Sequence, residues 1–420
     1  MTRPLRPFCL AFTIPLRSSA TLAMALALVA AVALPARGQT YQVIHTFQIG
    51  DGATPAAGLT MDAAGRLYGT TASGGAHRFG TVFKLARAGS GWTLSTLYSF
   101  KGDNDGAAPA GRVSFGSDGA LYGTTYEGGG NGCNAVGCGT VFKLKPSPSA
   151  CKTALCPWNE TILHAFNQSD GNFPLGDLLF DASGNIYGVT SQGGVPNLGG
   201  VVYELTPSGG GWTQSILYSF GGSLLYPSAG VIFDKAGNLY GTLLGSGDGH
   251  VFQLAPATSG WVYNEVYALL GGGEGGLPEA GLIFDDAGSL YGASTSYGGG
   301  GGGTVFKLTP SNGGWTLSIL YSFVGVWGNV DGPIANLVTD KSGNLYGTTY
   351  ADGAYGMGSV FKLIPRGSGW SYTSLHDFTG GADGANPKSN VIFDANGNLY
   401  GTASTGGNQC SCGVVWEITP

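Results

Sequence analysis

The residues of this chain best placed to do chemistry are carboxylates held at a fixed offset from a recurring proline. Asp51, Asp105, Asp170 and Asp383 each stand four residues before such a proline, and Glu274 takes that place in a further copy. Asp331 is displaced by two, and Ser223 fills the position in the remaining copy. A ring of acids would suit calcium, or a cationic or polyhydroxylated ligand. Calcium takes about six to eight oxygens from one neighbourhood, so one carboxylate per copy needs help from main-chain carbonyls. Asp-Gly is also a turn dipeptide, which gives the same acids a purely structural role. No catalytic set stands beside them. His45, His164 and His376 fall where Tyr98, Tyr218 and Tyr321 stand in other copies, and His250 replaces a threonine. His77 alone lies in a loop. The run Gly298 to Gly303 lacks the following helix that phosphate binding requires.

Cysteines offer the second possible chemistry. Cys133 with Cys138, Cys151 with Cys156, and Cys410 with Cys412 are close pairs. A metal site needs a converging set of soft ligands, and no histidine stands at ligand spacing nearby. Local disulfides are therefore expected, with no metal. The Cys410–Cys412 bond would be the strained one.

These residues are positioned by a repeat of about fifty-four residues. Pro55, Pro109, Pro174, Pro227, Pro278, Pro333 and Pro387 open seven units. Ten residues on stand Gly65, Gly119, Gly184, Gly237, Gly288, Gly343 and Gly397. Three further on, Tyr68, Tyr122, Tyr187, Tyr240, Tyr291, Tyr346 and Tyr400 each precede a glycine. Every unit holds four strand signals. The first is apolar and ends in Asp62, Asp181, Asp234, Asp285, Asp340 or Asp394, residues that suit a tight Asp-x-x-Gly turn. In the fourth strand Trp315, Leu317, Ile319, Tyr321 and Phe323 alternate with smaller or exposed positions, a strand period. No helical period appears. The expectation is an all-β fold, a seven-bladed β-propeller of four-stranded antiparallel blades. The seventh unit lacks its fourth strand, while an orphan fourth strand runs from Gln39 to Phe47. The N-terminal strand is thus expected to complete and close the last blade. Residues 39–420 form the single repeat domain.

Arg3, Arg6 and Arg17 precede an apolar run from Ala20 to Leu34, followed by small residues at Ala36-Arg37-Gly38. This pattern predicts a signal peptide over residues 1–38, cleaved before Gln39. The product is expected to be secreted or periplasmic, with no membrane span after cleavage. Loss of those residues removes four arginines and no acid, so 25 acidic groups face 15 basic ones. That balance argues against nucleic acid as a partner. A monomer is expected, with an unknown extracellular ligand or protein as its partner.

The units Ala280 to Gly292, Gly303 to Pro310 and Gly314 to Phe323 are similar to the GloVer tandem repeat, in register from Gln39 to Pro420. The resemblance implies an exported bacterial protein. Family members carry varied C-terminal anchors, and this chain ends without a recognisable one. Phe393 to Tyr400 shows a shorter likeness to NHL-type propellers. Neither likeness brings catalytic residues. The expected function is a non-catalytic binding or scaffold propeller engaging a glycan or envelope protein. The alternative is a propeller enzyme such as a lactone hydrolase or polysaccharide lyase. The face carrying blade connections and the loops after strand two varies most between units. It supplies Glu127 and Asp352 as further candidates and is where a ligand is expected.

Overall fold

The computed structural model describes residues 39–130, 132–133, 136–146, 158–221, 225–245, 249–325 and 332–420. The expected signal segment 1–38, the Cys151–Cys156 pair and Asp331 lie outside the described residues. Thr40–Thr419 forms one compact unit of seven antiparallel sheets. In the first blade the strands run Thr60–Met61, Leu67–Thr71, Thr81–Ala88 and Gly91–Ser99, each paired with the next. The later blades repeat that meander. The all-β seven-bladed propeller is the architecture, and no helix among the described residues is long and apolar enough to cross a membrane. In the last blade Thr40–Thr46 pairs with Val414–Thr419, running from Thr40 opposite Thr419 to Thr46 opposite Val414.

The repeated residues each have a mechanical reason. At the first turn of the last unit, Asp394 Oδ1 accepts the main-chain N–H groups of Asn396 and Asn398 at 2.8 and 2.9 Å. Its Oδ2 accepts Asn398 Nδ2 at 2.8 Å and the Tyr400 hydroxyl at 3.3 Å. Burial alone would push this carboxyl up, but the bonds from Asn398, Asn396 and Tyr400 hold it below its ordinary range. Gly397 follows with φ 85°, in the left-handed region that glycine enters without strain. The turn aspartates are therefore turn formers, as their sequence context implies.

The glycine after each tyrosine is kept for a different reason. A Cβ on Gly69, Gly123, Gly241, Gly292 or Gly347 would collide with the ring of Phe83, Phe142, Phe252, Phe306 or Phe361 on strand three. The outer atoms of the ring press on bare backbone, and those phenylalanines are fully buried. The prolines pack on glycine too. A Cβ on Gly80, Gly139, Gly249 or Gly358 would meet the next unit's Pro109, Pro174, Pro278 or Pro387. Gly413 meets Pro55 in the same way, so the seventh unit touches the first through the contact that these other units use.

Apolar burial is divided among the seams between blades. Tyr68, Val82, Leu97 and Phe100 of the first blade share a cluster with Val113, Leu121, Phe142 and Leu144 of the second. Ile44, Phe47 and Tyr400 share another with Leu59, Leu67, Phe83 and Leu85.

One sequence expectation needs correction. Strand four does not keep a single alternation, because a β-bulge shifts its register against strand three, as between Val305 and Phe306. A bulge adds one residue and turns the following side chains to the other face. Ile319 is thereby 36% exposed, whereas Phe323 is 1% exposed.

Tyr203 departs from the pattern chemically. It takes the strand-three place of the buried phenylalanines, and its hydroxyl is buried with no partner. Burial drives its pKa far up. An unsatisfied buried hydroxyl costs about 1–3 kcal/mol. Tyr203→Phe is therefore expected to stabilise the fold by about 1 kcal/mol, read as a higher Tm in thermal unfolding. A lower Tm would mean that the hydroxyl is bonded.

Candidate binding site

The acids before the prolines each engage their own connection. Asp105 accepts the Tyr98 hydroxyl at 2.8 Å and the Lys101 N–H at 3.1 Å. Glu274 accepts Tyr267 and the Leu270 N–H, both at 3.1 Å. Asp383 takes His376 Nε2 at 3.1 Å and the Thr379 N–H at 2.9 Å. Asp51 accepts the Gln48 N–H at 2.8 Å with His45 Nε2 3.3 Å away. Asp170 accepts the Asn167 N–H at 2.8 Å with His164 Nε2 at 3.2 Å. Each acid thus braces a turn against the strand-four tyrosine or histidine of the blade just completed. The histidines stand in for tyrosine, as the sequence indicates. Burial pushes the Asp383 carboxyl up, yet the Thr379 and His376 bonds leave it below the usual range. Burial also lowers His376, against the pull of Asp383. Among the described residues no group of three or more His, Cys, Asp or Glu side chains converges as a metal site would.

The connections themselves are backbone-strained. Thr54, Ala108, Phe173, Leu277 and Asn386, each just before a repeat proline, have φ between 51° and 57°. Non-glycine residues enter that region at a cost of about 1 kcal/mol or more. The strain turns the chain inward, so that the residues after each proline line the axis.

There the structure gathers unlike polar side chains. A cavity of about 140 Å³ is lined by the residues one and three places after the prolines. Its mouth carries Ser228, Glu279 and Lys388 among Ala56, Ala110, Leu175 and Ile334. Below them Arg112, Asp177, Asn336 and Asn390 also line a second cavity of about 240 Å³, whose other walls include Leu179, Ile232, Ile283 and Val338. Arg112 donates its main-chain N–H and its Nε to Asp177, both at 3.1 Å. Asn336 Oδ1 accepts the Gly281 N–H at 2.6 Å. Burial raises the Glu279 carboxyl, with Lys388 pulling the other way. The Lys388 ammonium lies 5.1 Å from the Tyr350 ring.

Glu127 and Asp352 lie on the face that carries the connections. The Thr125 hydroxyl donates to the Glu127 carbonyl at 2.9 Å, and Asp352 lies close enough to Tyr321 to raise its pKa, after burial. Cys133 pairs with Cys138 and Cys410 with Cys412, each at a Cα separation of 5.2 Å. The latter pair is the one expected to be hardest to form, and Ser411 between them turns at φ 51°.

A family model described as the Gloeobacter/Verrucomicrobia repeat matches residues 30–247 and 226–420. No curated protein matches. Among solved structures, an ulvan lyase of a new polysaccharide lyase family is 12% identical, with 90% of this chain and 95% of that one covered and a TM-score of 0.53. A gluconolactonase from Xanthomonas campestris is 16% identical over 76% and 90% of the two chains, TM-score 0.40. PorZ, a surface component of the type-IX secretion system of Porphyromonas gingivalis, is 14% identical over 86% and 46%, TM-score 0.47. At these identities the likeness is one of fold.

Proposed function

Because this chain belongs to the Gloeobacter/Verrucomicrobia repeat family, we propose that it is an exported, non-catalytic binding propeller that takes a small polar group at the axial mouth. One observation carries the reading: Ser228, Glu279 and Lys388, contributed by three blades, line one cavity together with Arg112 and Asp177. The acids before the prolines are spent on their own turns, whereas Glu279 and Lys388 face the cavity. A binding site is typically a concavity with a few unlike polar groups, and this one offers a carboxyl and an ammonium, with the Ser228 hydroxyl, which donates to the Pro278 carbonyl at 2.9 Å, left as an acceptor. At about 140 Å³ it fits one sugar ring or one charged side chain of a larger partner. Export is supported by the N-terminal segment and by the paired cysteines, since disulfides persist in oxidising compartments.

Titration calorimetry with a panel of mono- and oligosaccharides, amino sugars included, tests this reading. Losing one partner of a buried polar contact costs about 1.5–3 kcal/mol, so Glu279→Gln and Lys388→Ala should each weaken binding about tenfold or more. Glu127→Ala and Asp352→Ala test the wider face. Lys235→Ala and Lys341→Ala, on the opposite turns, should leave affinity within about twofold. If only the turn variants weaken binding, the ligand sits on the other face. Catalytic turnover of a panel member would replace binding with an enzymatic function.

A further inference from the structure

The sixth residue before the end of the fourth strand, counted back from Phe47, Phe166, Phe220 and their counterparts, packs towards the preceding blade. Two of these residues make the same bond there. The Tyr41 hydroxyl donates to the Asp383 main-chain carbonyl at 2.6 Å, and Gln214 Nε2 donates to that of Asp170 at 3.2 Å. At the same position Tyr263 stacks on Tyr218, and Tyr372 on Tyr321, with centroids 5.3 and 4.6 Å apart. Leu94 and Leu317 fill it in two further blades. The second blade places Glu160 there, the one acid in the set. The connection it meets contains Asp105, a second carboxylate.

Glu160 Oε1 is buried and has no partner. An ionised carboxylate only accepts hydrogen bonds, while a protonated one can donate. We propose that Glu160 is a proton-operated latch between the first two blades. Protonated, it donates to the Asp105 main-chain carbonyl as Tyr41 and Gln214 do to theirs. Ionised, it releases that carbonyl and repels the Asp105 carboxylate. No other blade pairs an acid at this position with an acid on the connection.

The surroundings favour the proton. Burial is the main influence raising Glu160, to about 7, with Asp105 adding to it and Lys101 opposing. Tyr98 faces the same pair. On the adjoining third strand, Lys143 and Lys145 are engaged with Asp118 at 2.7 and 2.9 Å, so neither is committed to Glu160. The folded value lies above the ordinary 4.5, so the native chain holds a proton that the unfolded chain gives up first. The stabilisation is complete below about 4.5 and is lost as pH rises towards about 7. The seam is tightest in acid and loosest in mild alkali.

Thermal unfolding and amide hydrogen exchange, corrected for intrinsic rates, test this on the full chain at about pH 4 and about pH 8.5. The wild type should lose several degrees of Tm across that interval relative to Glu160→Gln. Exchange around Tyr98 to Asp105 should quicken about tenfold, the equivalent of one pKa unit. Glu160→Gln should match the wild type at the lower pH and exceed it at the higher. Glu160→Leu, which copies Leu94 and Leu317, should also lose the extra pH dependence even where it lowers Tm overall. Equal pH profiles in all three proteins would overturn the latch. So would restoration of the wild type at high pH by excess calcium, because the paired acids would then hold a cation.

Discussion

Removing Thr40 to Phe47 is expected to cost this protein most of its stability. Phe47 is fully buried and Ile44 nearly so, while the Tyr41 ring stacks on His376 with centroids 3.6 Å apart. Burying each large apolar side chain contributes about 1.5–3 kcal/mol, so the segment accounts for about 5 kcal/mol or more before its ladder is considered. That is comparable to the whole stability of many domains. The deletion would also leave Val414–Thr419 as an unpaired edge, a template for association. The shortened protein should melt far below the parent and aggregate, in scans followed by size-exclusion chromatography. A synthetic peptide spanning Gln39 to Phe47 should restore part of the loss. An unchanged Tm with a monomeric elution profile would refute a closing role for the N-terminal strand.

Gly347→Val should be nearly as damaging for a different reason. A Cβ at Gly347 would stand 2.7 Å from Phe361 Cζ and 3.1 Å from Leu337 Cδ2. Neither side chain is free to retreat, since Phe361 is wholly buried and Leu337 is 1% exposed. Overpacking of a filled core costs about 1–3 kcal/mol and sometimes more, and valine adds two methyls beyond the colliding Cβ. A loss of about 3 kcal/mol or more is expected in denaturant unfolding. Gly343→Ala supplies the contrast. Its φ is 76° with nothing near the added atom, so it should cost only the backbone term of about 1 kcal/mol. Equal losses from the two substitutions would show that the Phe361 ring is not what holds the glycine in place.

The architecture was legible because its causes are local and repeated seven times. Asp-x-x-Gly turns, Tyr-Gly pairs and the opening prolines each answer to a few neighbouring atoms, so their spacing carries the blade directly. The strand-four bulge was not legible. It depends on register against strand three, and an alternating Trp315 to Phe323 looks the same with or without an extra residue. The candidate site was hidden for a related reason. Arg112, Asp177, Glu279, Asn336, Lys388 and Asn390 sit at the repeat positions where residue type changes from unit to unit, and a search for shared residues passes over them. Aligning the units on their prolines and reading the first and third columns for divergence would have found them. The acids before the prolines recur because each one bonds its own connection, so their recurrence follows from structure.

The division of apolar burial among the seams has a consequence for how the ring responds to force. Each blade is like a stave in a cask, tight only because its neighbours press on it. A pull on one sheet therefore strains two clusters, such as the one joining Tyr68 to Phe142 and the one joining Phe47 to Phe83. With no blade owning a private core among the described residues, partial release of a single stave has little to hold it in a half-open state. The ring should yield to tension as a whole, in one large step.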